Sequence, residues 1–148
     1  MFKKGQLGNQ KGFTLVEIIA VLLLLGILSA VALPKYIGMQ TATEYQTLNI
    51  ALNDMRSRAV LAYAASVLAN NGTAQAGDQT DFSDIGLPDL AAVQAAYKDF
   101  GGGSGVWAYT SATAIDYTMA YGGAQITFAV TSAGSSTDPM VISIDPLP

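Results

Sequence analysis

The chain has 148 residues, a length that allows one domain and an extension, and 51% of the residues are hydrophobic. It contains no cysteine and no histidine, which excludes disulfide bonds, thiol nucleophiles, zinc centres and Ser-His catalysis. After the first twelve residues, four basic and eleven acidic side chains give a net charge of −7, which favours solubility and leaves no basic footprint for nucleic acid.

The N-terminal region combines a basic leader with an apolar run. The leader, residues 1–12, holds three lysines and no acid. The run from Phe13 to Leu33 has 21 residues. As a helix this run is about 30 Å long, which matches the hydrocarbon core of a bilayer. We therefore expect it to cross a membrane, with the leader on the cytoplasmic side.

Glu17 lies inside this run, and two simple membrane interpretations do not explain it. A secretory signal peptide would use Ala30-Val31-Ala32 as its cleavage site, but the run is long for a signal peptide and contains the carboxylate. A plain membrane anchor would gain nothing from an acid, since a carboxylate at the centre of a spanning helix costs about 3 kcal/mol. Both interpretations are alternatives to the one that follows.

Gly12-Phe13-Thr14-Leu15-Val16-Glu17 resembles the class III signal of type IV pilins and pseudopilins. The resemblance implies that a membrane aspartyl peptidase cuts after Gly12 and N-methylates the new terminus, Phe13, so that the apolar segment is kept. It also implies three parts: a cleaved leader (1–12), a transmembrane or filament-core helix half (13–34) and a globular head (35–148).

The resemblance also gives Glu17 a role in filament assembly. The resemblance implies that its partner is the N-terminal amine of Phe13 in a neighbouring subunit. Such a pairing is physically sensible, since a buried carboxylate is tolerable only when it is paired. Such a pair would favour one axial stagger of the packed helices over others. The alternative is a contact within one chain, since Phe13 and Glu17 are four residues apart and share a helix face. Gly26 and Pro34 match the positions at which the family weakens this helix, and Pro34 predicts a kink.

The chain from Tyr45 predicts that the same helix continues to about residue 70 with one buried face. Charged residues, Glu44 among them, fall largely off an apolar stripe of helical spacing that comprises Leu48, Leu52, Met55, Ala59, Ala62 and Val67. Asn70-Asn71-Gly72 predicts the end of the helix. We expect one long helix from about residue 13 to 70, whose second half packs on the head.

The remaining chain predicts a loop, a short helix and a sheet. Residues 73–83 are polar, and the short helix starts near Pro88 and ends at Gly101, before a glycine-rich loop. Strand candidates follow at 106–110, 115–121, 125–131 and 140–144, with Gly122-Gly123 as a hairpin turn. The predicted fold class is therefore α+β, a long N-terminal helix packed on a small antiparallel sheet of about four strands.

Four aspartates, Asp78, Asp81, Asp84 and Asp89, cluster before the short helix. Carboxylates suit calcium, but this spacing matches no loop motif, and we interpret the cluster as a solvated acidic loop. No motif places two acids around a substrate. We therefore predict no enzymatic activity, no cofactor and no metal site.

The resemblance implies a structural subunit of an extracellular type IV pilus that serves adhesion, motility or DNA uptake. The implied partners are further copies of the chain in a helical homopolymer, a prepilin peptidase and methyltransferase, the pilus assembly machinery and, before assembly, the inner membrane. The alternative is a periplasmic pseudopilin of a type II secretion system; the chain lacks the Trp-Gly-x-Pro-type motif of the major pseudopilin, which favours a pilus. A third interpretation is an anchored or secreted binding domain with this N-terminus.

Overall fold

The computed structural model describes residues 12–75, 77–98 and 105–146. In chain order, the elements are helix α1 (Leu15–Ala69), a 3-10 turn (Phe82–Ile85), helix α2 (Leu90–Tyr97), and strands β1 (Val106–Ser111), β2 (Ala114–Thr118), β3 (Gln125–Ser132) and β4 (Val141–Asp145). The chain divides after Gly38 into two units. The predicted α+β class is confirmed.

Helix α1 confirms the predicted long helix to within two residues at its start and one at its end. Pro34 lies inside it, so the proline does not terminate the helix. The C-terminus closes as the asparagine-glycine sequence predicts. Asn71 takes a left-handed backbone with a φ of 57°, and the Gly72 N–H bonds to the Val67 carbonyl at 2.9 Å. This six-residue hydrogen bond is the Schellman arrangement that satisfies the last helical carbonyls.

The sheet is a four-stranded antiparallel meander in the order β1-β2-β3-β4. Its registers pair Trp107 with Tyr117, Tyr117 with Ile126 and Phe128 with Ile144. Alternation along each strand places these side chains on one face, which is buried. The last strand, β4, is therefore held by pairing with β3, in a chain that has no disulfide to close its tail.

The core of the second unit lies between this sheet face, α2 and one face of α1. The α1 residues in it are Leu48, Ala51, Leu52, Met55 and Ala59, which confirms the first four positions of the predicted stripe. Trp107 lies at the centre of the aromatic packing, with ring centroids 5.5 Å from Tyr97, 4.7 Å from Tyr117 and 5.4 Å from Phe128. Tilted rings at these separations add about 1 kcal/mol per pair to the burial of their surfaces.

Glu44 is where the prediction for α1 is wrong. It was placed off the buried stripe, but its side chain is 97% buried, because residue 44 precedes Leu48 by one helical turn and shares its face. Neither carboxylate oxygen has a hydrogen-bond partner in the part of the chain that the structure describes. The charge of Glu44 adds to burial in raising the pKa of Tyr117 on the sheet. The helix therefore carries an acid into the core of the second unit.

The segment before α2 is also more ordered than its polar composition predicts. Phe82 is fully buried in the 3-10 turn, and Gln79 is 97% buried. The Gln79 side-chain amide donates to the Ala59 carbonyl at 3.1 Å, and its oxygen accepts from the Met140 N–H at 2.9 Å. One glutamine side chain thus fastens this segment to both α1 and the start of β4.

Helix α2 begins one residue beyond Asp89, so Pro88 precedes the cap and does not lie in the first turn. The Asp89 carboxylate accepts from the Ala92 N–H at 2.8 Å, which is why the helix starts there. The predicted helix end at Gly101, and the first four residues of the glycine-rich loop, lie outside the described residues, as do residues 1–11 of the leader.

Candidate functional site

The first unit carries an exposed apolar helical surface. Every residue from 12 to 39 is exposed, including Leu28 at 65% and Val31 at 71%. Helix α1 has the length and composition to cross a membrane, and its most apolar window has a mean hydropathy of 2.8 with none of the window buried. Large exposed apolar surfaces mark contact with lipid or protein.

The predicted cleavage bond lies directly before this helix. Gly12 and Phe13 are exposed and non-helical, and α1 begins two residues after Phe13. A protease needs an accessible backbone outside regular structure, and Gly12 and Phe13 meet that requirement. In this uncut chain the Phe13 nitrogen is a peptide nitrogen, and it becomes an amine only when the bond is cut.

Glu17 forms a capping box with Thr14. The Thr14 N–H and hydroxyl each donate to the Glu17 carboxylate at 2.9 Å, and the Glu17 N–H donates to the Thr14 hydroxyl oxygen at 3.3 Å. Thr14 is the N-cap and Glu17 the third helical residue, which is the spacing at which the two residues satisfy each other's free backbone donors. The carboxylate is thereby held beside Phe13 at the N-terminal end of the helix.

Thr14 is a residue of this site that the sequence interpretation missed. The pattern Thr-x-x-Glu before an apolar run is the sequence signature of a capping box and would have identified it. The hydrogen bonds that the structure gives Glu17 go to Thr14, and the assignment of Phe13 as its partner stays a prediction.

Gly26 and Pro34 lie within α1, in the exposed apolar surface. A Cβ added at Gly26 would meet nothing within 4 Å, so packing within the single chain does not require glycine there. Ser29, between them, donates its hydroxyl to the Leu25 carbonyl at 2.7 Å, a bond that competes with the helical ladder. The helix-weakening role of this zone stays a prediction, and so does the kink.

The four aspartates before α2 accept hydrogen bonds from neighbouring groups. Asp81 and Asp84 form a second capping box, around the 3-10 turn, and the bond from the Ser83 hydroxyl lowers the pKa of Asp81. Asp89 caps α2, and Asp78 accepts from the Ser66 hydroxyl. These bonds give each carboxylate a structural use in ordering the segment between α1 and α2.

A group of three polar side chains links α1 to α2: Asp54, Arg58 and Tyr97. The Tyr97 hydroxyl donates to an Asp54 carboxylate oxygen at 3.0 Å, and the same oxygen accepts from the Arg58 Nε at 2.9 Å. Burial, with the charge of Asp54 added to it, raises the pKa of Tyr97 far above its ordinary value. Tyr97 is therefore held in its neutral form as a donor, and this group is structural.

Comparison with known protein families matches residues 7–33 to the prokaryotic N-terminal methylation motif. The match covers the predicted cleavage bond, the capping box and the apolar segment up to Leu33. Together with the exposed apolar helix, it supports a type IV pilin-like or pseudopilin protein that carries a class III signal, is processed by a prepilin peptidase and inserts in a membrane before assembly. No curated protein and no solved structure matches the chain.

Proposed function

We propose that this chain is a structural subunit of an extracellular type IV pilus. It is cut between Gly12 and Phe13, N-methylated at Phe13, held in the inner membrane through residues 13–34, and polymerised by an assembly machine into a helical homopolymer. The filament serves adhesion, motility or DNA uptake. The observation that carries the proposal is an exposed apolar segment, residues 13–34, which lies almost entirely within the methylation motif and bears one acid, Glu17.

The exposed apolar surface requires a cover in every state of the subunit. Burial of apolar surface contributes about 25 cal/mol per Å², so a helix with this many exposed leucines and isoleucines does not remain in water. Lipid covers it before assembly, and the helices of other copies cover it in the filament. The transfer from lipid to protein gains little from the hydrophobic effect, because lipid tails are as apolar as leucine. Packing and polar pairing therefore have to select the assembled state.

Glu17 is the group through which this selection would work. In the uncut chain its carboxylate is held by Thr14 at the helix start. After the cut, the adjacent Phe13 nitrogen is a cationic amine, and a neighbouring copy can present its own amine to this carboxylate. Removing two charges from an apolar interior is tolerable only as a hydrogen-bonded pair, so one stagger of neighbouring helices is favoured.

Two features of the head, residues 35–148, favour a pilus over a secretion pseudopilus. Its four clustered aspartates cap the 3-10 turn and α2 or accept a hydrogen bond from the end of α1. These bonds support the interpretation of the cluster as an acidic loop with a structural role, as opposed to a calcium site. The absence from the sequence of the Trp-Gly-x-Pro-type motif points the same way. The pseudopilin of a type II secretion system is the second candidate, because the methylation motif is shared by both classes.

The test compares the intact mass and N-terminal sequence of the protein sheared from whole cells with those of the membrane fraction. A sheared species that starts at N-methylated Phe13 supports the pilus. The same terminus found only in the membrane fraction refutes the surface pilus and supports the pseudopilin. A soluble species that starts at Leu33 indicates an ordinary signal peptide and refutes both.

A further inference from the structure

An asparagine-glycine pair, Asn71-Gly72, closes α1 at its C-terminal end. Among asparagine dipeptides this pair deamidates most readily, because glycine has no side chain to hinder the attack of its own backbone nitrogen. Asn71, Gly72 and the following Thr73 are all exposed, so water reaches the side-chain amide of Asn71. The pair that ends the helix is therefore also a reactive one.

The reaction needs no enzyme, and its co-reactant is water. The Gly72 backbone nitrogen loses its proton to hydroxide and bonds to Cγ of Asn71. The bond between Cγ and Nδ2 breaks, and Nδ2 takes a proton from water and leaves as ammonia, so that a cyclic succinimide remains. Water then opens this ring at Cγ to give aspartate, or at the backbone carbonyl carbon to give isoaspartate.

The closed end of α1 keeps the attacking nitrogen from this reaction. The Gly72 N–H donates to the Val67 carbonyl at 2.9 Å, and the Thr73 N–H donates to the Asn70 carbonyl at 3.4 Å. Asn71 takes the left-handed backbone, with a φ of 57°, that this arrangement requires. A proton held in such a bond leaves only when the bond opens, as amide hydrogen exchange in native proteins shows. The same opening has to precede ring closure at Asn71.

We propose that Asn71 is a deamidation site that the helix end, residues 66–75, keeps closed and that reacts when this end opens. Two bonds tie the loop to the helix: the Gln75 side-chain amide donates to the Asn70 side-chain oxygen at 3.3 Å, and the Gln75 N–H donates to the Ser66 hydroxyl oxygen at 3.4 Å. Both bonds are exposed, and helix termini open at a lower free energy than the core. The rate of deamidation at Asn71 therefore measures local opening of the helix end.

Both products of the reaction weaken the helix end. Aspartate adds a negative charge beside the free carbonyls at the negative end of the helix dipole, where the Asp78 carboxylate already accepts from the Ser66 hydroxyl. Isoaspartate inserts Cβ into the main chain, so the hydrogen bond from Gly72 to the Val67 carbonyl loses its geometry. Each event therefore leaves the helix end more open than before, and refolding does not reverse it.

The first test compares the full chain in detergent, folded and unfolded by guanidinium chloride, at the same mildly alkaline pH. The fluorescence of Trp107 verifies the two states, and peptide mapping by mass spectrometry times the loss of Asn71. We expect the folded chain to react more slowly by about tenfold or more, which corresponds to an opening free energy of at least about 1.4 kcal/mol. Asn53, which is exposed on α1 and precedes Asp54, is the internal control and is expected to react much more slowly than Asn71 in the unfolded chain.

Two alanine-to-glycine variants test the gating by the helix end. Ala69 is the last residue of α1 and Ala42 lies well inside it, and both are exposed. Glycine lowers helix propensity equally at both positions, but only Ala69→Gly loosens the end. We expect Ala69→Gly to speed deamidation of the folded chain about fivefold, which corresponds to about 1 kcal/mol. Ala42→Gly is expected to leave the rate unchanged.

Three results would overturn the proposal. Equal rates in the folded and unfolded chains mean that the helix end gives no protection. An Asn71 that does not react in the unfolded chain is not a deamidation site. An unchanged rate in Ala69→Gly, or an equal acceleration in Ala42→Gly, means that the reaction starts from the closed end or from global unfolding. The proposed pilus function is tested separately, because none of these measurements requires a filament.

Discussion

Replacing Glu44 with methionine is expected to stabilise the second unit, although most substitutions of buried residues destabilise a protein. Glu44 is 97% buried, and neither carboxylate oxygen has a hydrogen-bond partner among the described residues. Methionine has nearly the same length and volume and adapts to irregular gaps, so Glu44→Met removes the polar group and leaves the packing nearly unchanged.

The size of the effect follows from the desolvation of the carboxylate. Leaving one buried polar group without a partner costs about 1–3 kcal/mol in measured protein variants, and more when the group is charged. A gain of this size raises the melting temperature of a domain of this length by about 5 to 15 °C. Glu44→Gln is expected to gain less, because the amide is neutral but still lacks partners.

Thermal unfolding of the full chain in detergent measures this difference. The fluorescence of Trp107, the single tryptophan, reports the aromatic packing of the second unit. Gln46→Met is the matched control, since Gln46 is an exposed residue two positions along the same helix and its replacement is expected to change stability by less than about 0.5 kcal/mol. A lower melting temperature for Glu44→Met than for the unmodified chain would refute the reasoning, because it would mean that the carboxylate makes a stabilising interaction.

Three further predictions concern the N-terminal site and the Tyr97 group. Glu17→Ala is expected to be cut and inserted normally but to reduce the yield of sheared filaments about tenfold or more. The substitution leaves the Phe13 amine of a neighbouring copy without its carboxylate, and an unpaired buried charge costs about 3 kcal/mol. A normal yield would contradict the proposed role of Glu17 in selecting the stagger of the helices. Gly12→Val is expected to block cleavage while Gly12→Ala is tolerated, and mass spectrometry of the membrane fraction distinguishes the two; normal cleavage of Gly12→Val contradicts the peptidase assignment. Tyr97→Phe is expected to lose about 1 kcal/mol at neutral pH with its hydrogen bond to Asp54. Because the pKa of Tyr97 is raised in the folded state, the stability it contributes is complete below the unfolded value of about 10 and is lost as the pH rises above it. The melting temperature should therefore fall less between about pH 9 and pH 11 in Tyr97→Phe than in the unmodified chain, and an equal fall would contradict this assignment.

The elements could be predicted from sequence where local rules act alone. The length of α1, its Asn-Gly end and the four strands follow from periodicity and turn residues, and the structure confirms them. Thr14 could also have been found, because its capping box is a local pattern. The order of the segment around Gln79 could not, since its side-chain bonds reach Ala59 and Met140, 20 and 61 residues away. Only the tertiary fold brings those backbone groups together.

Glu44 shows a different limit. Its spacing from Leu48 places it on the buried face, whereas acids in general are exposed. This general rule has a physical basis, because an unpaired buried acid destabilises the protein. A buried carboxylate is an exception to this rule. It either lowers the stability of the fold or has a function that offsets the loss, and the sequence alone does not distinguish these two cases.

The two glutamates of the chain differ in the state in which desolvation of the carboxylate costs free energy, the single copy or the assembled filament. Glu44 is buried within a single copy, so its desolvation is the same at every stagger of neighbouring copies and cannot select among them. Glu17 is exposed and capped by Thr14 in the single copy, so its cost arises only when other helices cover it. A charge discriminates between assemblies only if its environment differs among them. Glu44→Met should therefore change the melting temperature but not the filament yield, whereas Glu17→Ala should change the filament yield but not the melting temperature of the second unit. A Glu44→Met chain that folds more stably but fails to assemble would break this separation and show that the buried acid acts in the filament.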